Sequence, residues 1–248
     1  MHLGNGAITP ECAALTWGAA AAGLGLAGWL ARRDGIDRER LALAGGLGAL
    51  VFAAQAINVP LLPGTSAHLV GGVLLAWAVG PGLGAWTMAL ILTLQAVLLG
   101  DGGLLSLGAN ILNMAILPAG LVAAVRPERD SAPAWKPALL AAISVPLAAL
   151  LIVGQTALFR GGELAGWSDF AARMVVTHLW IGVAEGGLTL LLVLALAMLT
   201  QPAARWRQAM AALAGALVLA CLVPLSSSLP DGYEAAAQRA GLQRLLAE

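Results

Sequence analysis

"PALLAAISVPLAALLIVGQTAL", residues 137–158, contains no charged side chain from end to end. A helix rises about 1.5 Å per residue, and the hydrocarbon core of a bilayer is roughly 30 Å thick. A run of this length therefore crosses a membrane. A soluble surface helix would need a polar face, and this stretch has none. It predicts a membrane-spanning helix, and most of the chain repeats its character.

The chain has 248 residues, of which 60% are hydrophobic and 10% charged. Its mean hydropathy is +0.86. A soluble domain carries roughly 25% charged residues. This composition specifies an integral membrane protein with almost no room for a separate soluble domain. The formal net charge is zero, so a nucleic-acid role has no electrostatic support. Further apolar segments centre on 12–31, 41–57, 67–80, 83–99, 104–125, 170–199 and 209–225. Gly80-Pro81-Gly82 reads as a tight turn between two of them. Trp17, Trp29, Trp135 and Trp206 flank apolar runs, as interfacial tryptophans do. The expected fold is all-α, a polytopic bundle of about eight transmembrane helices. After Pro230 the chain reads as a short amphipathic helix outside the bilayer.

Basic residues orient such a bundle, because they collect on the cytoplasmic side. Arg32, Arg33, Arg38, Arg40, Arg126, Arg129, Lys136, Arg205 and Arg207 all fall on one side of eight spans. Arg160, Arg173, Arg239 and Arg244 fall on the other. The expectation is that both termini lie outside. The first ten residues are neither basic nor apolar, so no cleavable signal peptide is expected.

That places "MHLGNGAITP", residues 1–10, on the outer face with His2 beside the amino terminus. Histidine is too large for the usual trimming of the initiator, so Met1 is expected to stay. A histidine at position two can chelate through the terminal amine, its own deprotonated amide and its Nδ1. Those three nitrogens lie in one plane and form two fused rings. One more nitrogen completes a square-planar set, which suits Ni(II) or Cu(II) and accepts Co(II). The bland alternative is a disordered end with an accidental histidine. A second stretch, "NVPLLPGTSAHLVGG" at 58–72, lies on the same face. It carries His68, one of three histidines. Thr65 and Ser66 look like an N-cap for the helix that follows, or are candidates to orient the metal histidines.

The chain resembles the CbiM/NikM family, the substrate-binding subunits of energy-coupling factor transporters for nickel and cobalt. The resemblance is carried by the opening Met-His, by Gly64-Thr-Ser-Ala-His-Leu69, by "QAVLLGDGGLLSLGANILNMA" at 95–115 and by "HLWIGVAEGGLT" at 178–189. It implies a metal site of Met1, His2 and His68. It implies Ni(II) or Co(II) as bound substrate, with no organic cofactor. It also implies partners: a transmembrane T subunit and ATPase (A) subunits in the cell membrane. "SSSLPDGYE" at 226–234 is similar to the Pro-Asp-Gly-Leu-Glu segment of the small N subunit, with Tyr233 in place of leucine. The implied division is a metal-binding transmembrane unit at 1–203, followed by an extra helix and an extracytoplasmic tail at 204–248. The family opening usually continues with an acidic or Pro-Asp-Gly stretch, where this chain has Gly4-Asn5-Gly6.

Other polar residues stand out against the apolar background. Gln55, Asn58, Asn110 and Asn113 are expected to form interhelical hydrogen bonds or to orient the metal histidines. His178 and Glu185 are seven apart on one predicted helix face and are read as a buried hydrogen-bonded pair. "GDGG" at 100–103 follows no strand and reads as a turn with Asp101 capping. Ala14, Gly18 and Ala22 form a small-residue stripe. It suits either contact with a T subunit or packing inside the bundle. Cys12 and Cys221 do not form a metal-type cluster, and one disulfide between them stays open.

The chain has one lysine, Lys136, followed by Pro137, so it holds no Walker A loop and is not read as an enzyme. Hydrolysis of ATP would come from partners. An ion-coupled secondary transporter or channel for a transition metal is the alternative, and it would want intramembrane carboxylates, for which Glu185 is the one deep candidate. A haem or quinone subunit would want histidines paired at equal depth, which His68 and His178 do not offer.

Overall fold

The computed structural model describes residues 2–125, 132–160, 165–199 and 226–246. The predicted span at 209–225, the 203/204 boundary, Arg126, Arg129, Arg205, Arg207 and Cys221 lie outside these residues. Cys12 itself is fully buried.

Among the described residues, eight elements form the bundle's helical frame. They are α1 (Pro10–Arg33), α2 (Arg38–Gln55), α3 (Gly72–Val79), α4 (Pro81–Leu94), α5 (Leu107–Ile111), α6 (Leu117–Ala124), α7 (Trp135–Arg160) and α8 (Trp167–Leu199). A π-turn extends α4 to Leu99, and a second joins α5 to α6. Thr9 caps α1, with Pro10 in its first turn, and Asp37 caps α2 through the Arg40 N–H at 2.7 Å.

Among the described residues, five helices are long and apolar enough to cross a membrane: Pro10–Arg33, Pro81–Leu99, Leu107–Ala124, Trp135–Phe159 and Trp167–Met198. Their outward faces are apolar. Leu26, Leu98, Leu158, Val183 and Leu191 are all exposed, which suits lipid rather than water. The helices α7 and α8 form the most extensive pair. Gly182 and Gly186, one turn apart on α8, allow it. A Cβ at Gly182 would collide with the Ala142 carbonyl, and one at Gly186 would lie 2.8 Å from the Ala138 carbonyl.

Two expectations fail between residues 58 and 80. The segment 67–80 is not a full span, and the fold is not purely helical. Val59–Leu62 (β1) and Thr65–Ala67 (β2) pair as an antiparallel hairpin, with Val59 opposite Ala67. Thr65 and Ser66 are therefore strand residues and do not cap a helix. Pro60 and Pro63 disfavour a helix here, and Gly64 turns the chain at φ +66°. Helix α3 starts only at Gly72, and its eight residues are all buried. At about 1.5 Å per residue it is far too short to span a bilayer.

The tail forms α9 (Gly232–Arg239), opened by a capping box between Asp231 and Glu234. It packs on α8 and β2. Tyr233 is buried, with its ring edge-on to Phe170 and its hydroxyl donating to the Leu245 carbonyl at 2.7 Å. Arg239 donates to the Pro63 carbonyl at 2.6 Å and so ties the tail to the hairpin turn.

Candidate metal-binding mouth

The segment that follows Met1 is not a free tail. Leu3 is 1% exposed and is gripped twice by Asn110: its N–H donates to Oδ1 at 2.9 Å, and its carbonyl accepts from Nδ2 at 3.2 Å. The Gly103 N–H also donates to the Leu3 carbonyl, at 2.8 Å. Ser106 holds the Gly4 carbonyl at 2.6 Å, and the Leu105 N–H donates to Asn5 Oδ1 at 2.8 Å. The glycines at 100–103 make this seat. Gly100 and Gly102 have φ of +66° and +91°, and a Cβ on Gly103 would collide with Asn5.

This seat buries His2 and lays its ring on that of His68. The centroids are 5.3 Å apart and the planes differ by 13°. Met1, the first member of the expected site, lies outside the described residues. His2 Nδ1 donates to Asp101 Oδ1 at 3.1 Å, while Nε2 is buried with no hydrogen-bond partner. Asp101 is thus no simple cap; it is the residue that the sequence reading missed. Burial opposes its ionisation, but the hydrogen bond from His2 and nearby positive charge prevail. Its carboxyl lies below the usual range. A cavity of about 330 Å³ opens beside His2 and Asp101 and reaches Tyr233 and Glu234 of the tail.

His68 leaves β2 and faces the mouth before α3 begins. Its Nδ1 lies 3.0 Å from the Leu69 carbonyl. A carbonyl only accepts, so Nδ1 carries the proton and Nε2 keeps its lone pair. Burial, and then the positive charges gathered at the mouth, His2 among them, push this imidazole down to about 3. It is neutral at physiological pH, the form that binds metals.

The loop behind His68 is fixed from two helices. Glu185 of α8 accepts the Val70 N–H at 2.8 Å and the Gly71 N–H at 2.7 Å, one on each oxygen. Gln55 of α2 donates to the Val70 carbonyl at 2.6 Å. The expected His178–Glu185 pair does not form. Seven residues along a helix are about 10.5 Å apart, beyond the reach of the two side chains. His178 instead donates from Nδ1 to the Met174 carbonyl, at 2.7 Å.

The other candidates separate. Asn110 stands one residue from His2 through Leu3. Asn113 pairs with Gln155 across helices, at 3.3 Å in both directions. The Asn58 carbonyl accepts from the Ser227 N–H at 2.7 Å, and Ser66 grips the Leu229 and Pro230 carbonyls at 2.7 and 3.3 Å. Both hold the tail. Thr65, the first residue of β2, is buried. Ala14, Gly18 and Ala22 are exposed, and a Cβ on Gly18 would meet nothing within 4 Å. Among the described residues, nothing packs on the stripe at Gly18.

Five helices able to span a membrane, closing around a histidine-lined mouth, define a multi-pass membrane protein. Residues 2–203 match the CbiM family, described as the cobalt uptake substrate-specific transmembrane region. A Haloquadratum walsbyi protein assigned to metal transport is 34% identical over 76% of this chain and 86% of its own. An Archaeoglobus fulgidus protein, assigned as the fused nickel transport protein NikMN, is 32% identical over 98% of this chain and 84% of its own. The crystal structure of a truncated transition metal transporter aligns with a TM-score of 0.68 at 27% identity, covering 79% of this chain and 98% of that one. The chain belongs to the CbiM family.

Proposed function

We propose that this protein is the substrate-binding membrane subunit of an energy-coupling factor importer for Ni(II) or Co(II). The ion is held by the Met1 amine, the His2 amide and Nδ1, and His68 Nε2. The observation that carries this reading is the stacking of His2 on His68 at 5.3 Å in a buried mouth. Two imidazoles bound at right angles to one metal, with bonds of about 2 Å, would have centroids roughly 4.5 Å apart. The observed 5.3 Å is within about 1 Å of that separation, and binding also needs the rings to turn so that His2 Nδ1 and His68 Nε2 converge on the ion. His2 Nδ1 must then exchange its contact with Asp101 for the metal, so Asp101 competes with the ion for that nitrogen.

Both termini outside is the orientation that this reading requires. Four nitrogens in a plane favour low-spin Ni(II), so nickel is preferred to cobalt. Copper binds the isolated protein more tightly still, following the order of divalent affinities. The tail, similar to an N subunit, is fused behind the metal-binding unit and serves loading or release rather than ligation. Energy comes from a T subunit and ATPase subunits, with the Ala14/Gly18/Ala22 stripe as the point of attachment. Glu185 favours this reading over an ion-coupled carrier. Both its oxygens are committed to backbone N–H groups and do not stand open along a path. The test is Ni(II) and Co(II) titration of the purified full chain. His2→Ala and His68→Ala should each abolish tight binding, and zinc preferred over both metals would defeat the assignment.

A further inference from the structure

His178 is 1% exposed, and its Nε2 is buried without a hydrogen-bond partner. An imidazole nitrogen left so in a packed interior needs an explanation. Its Nδ1 donates to the Met174 carbonyl at 2.7 Å, which fixes the proton there and leaves the lone pair on Nε2. A histidine set by a backbone carbonyl in this way is oriented as metal-binding histidines are. His68 has the same arrangement, with Nδ1 on the Leu69 carbonyl.

The two histidines line one small pocket, together with Asp231, Gly232 and Ile181. Its volume is about 10 Å³, room for roughly one water molecule or one ion. Gly232 keeps it open, since a Cβ there would lie 3.1 Å from His178 Nε2 and 2.7 Å from Ile181. A carboxylate, an aligned imidazole and the mouth histidine thus border one space of ionic size. The tail supplies two of the walls.

We propose that His178 is a second station for the transported metal, taking the ion from the mouth as it leaves His68. The step is a ligand exchange. The bond to His178 Nε2 forms as bonds to the mouth nitrogens break, the His2 amide nitrogen takes back a proton from water, and the oxidation state of the metal does not change. Asp231 supplies the negative charge that makes a cation welcome beside a buried imidazole. The inference rests on His68 being a mouth ligand.

The test uses the full chain and Ni(II) alone. His178→Asn keeps a side-chain N–H near Met174 and removes only the Nε2 donor. In His2→Ala the chelate is lost, and weak binding should remain on the two imidazoles. The double variant H2A/H178N should weaken this remnant by roughly tenfold or more. In cells carrying the whole transporter, H178N and Gly232→Ala should each slow nickel uptake by about the same factor, while the affinity of the mouth stays within about twofold. Equal binding by H2A and H2A/H178N would mean that His178 holds only a water, and would overturn the proposal. Uptake unchanged in both H178N and G232A would overturn it too. Wild-type affinity in H2A alone would instead overturn the mouth assignment, and the relay with it.

Discussion

Asn110 grips both backbone groups of Leu3 and so sets where His2 stands. Asn110→Ala leaves the buried Leu3 N–H without its acceptor, at about 1–3 kcal/mol. Loss of such an orienting partner typically costs about 10- to 100-fold in metal affinity. The expected outcome in a Ni(II) titration is a loss in that range. Asn113→Ala breaks only the pair with Gln155 and should lower thermal stability while leaving affinity near wild type. Equal affinities for the two variants would contradict this division. At this scale the sequence was informative where chemistry depends on chain position. A histidine beside the terminal amine announces a chelate wherever the fold carries it. Asp101 was hidden because its partner, His2, is distant in sequence. Its one signal was an acidic side chain set among glycines on the outward side of an apolar chain. His178 and Glu185 were misread because sharing a helix face is not the same as being within reach.

The element that matters most is the short loop between β2 and α3. It carries His68 and is held by Glu185 from one side and Gln55 from the other. Glu185→Ala orphans two buried N–H groups at about 1–3 kcal/mol each. Glu185→Gln keeps one good acceptor. The expected order in thermal unfolding is wild type, then Gln, then Ala, with Ni(II) affinity falling in the same order. An unchanged midpoint for the Ala variant would show that the loop does not depend on α8. Helix α7 was legible because a charge-free run has one stable solution in a bilayer. The stretch at 67–80 was not, because its average hydropathy joins a strand, a loop and a half-length helix. Its punctuation (Pro60, Pro63, Gly64, Gly71) was the better guide, and the composition outweighed it. The wholly buried α3 needs no lipid contact, so no amphipathic pattern marks it.

Across the whole molecule, the amino-terminal segment lies between the 100–106 loop and the tail, which is tied down through Ser66, Arg239 and Tyr233. A chain ended after Leu229 keeps both mouth histidines. It should still bind Ni(II), with altered loading and release rates in stopped-flow mixing; complete loss of binding would place the tail in the site itself. The exposed Ala14/Gly18/Ala22 stripe makes a separate prediction. A Cβ at Gly18 meets no described atom within 4 Å, so Gly18→Phe should leave metal binding unchanged while capture of a T subunit and ATP-dependent uptake are lost. Rapid ion-gradient-driven uptake by the lone chain in proteoliposomes would favour a secondary transporter.

The central claim is that the chain's own amino terminus is a ligand, and a two-residue insertion ahead of His2 tests it most directly. Placing Leu-Pro between Met1 and His2 keeps the side chains of the mouth and, because leucine is too large for trimming, keeps the initiator. It moves the amine out of chelate register with the imidazole, and proline has no N–H to lose, so it cannot bridge the gap as a chelating amide. Ni(II) titration of the purified full chain, read with X-ray absorption at the nickel edge, should give one ion per wild-type chain in a planar set of four nitrogens. The inserted chain should lose tight binding and that signature together. An inserted chain that binds nickel as tightly as wild type, with the same four nitrogens, would contradict the account.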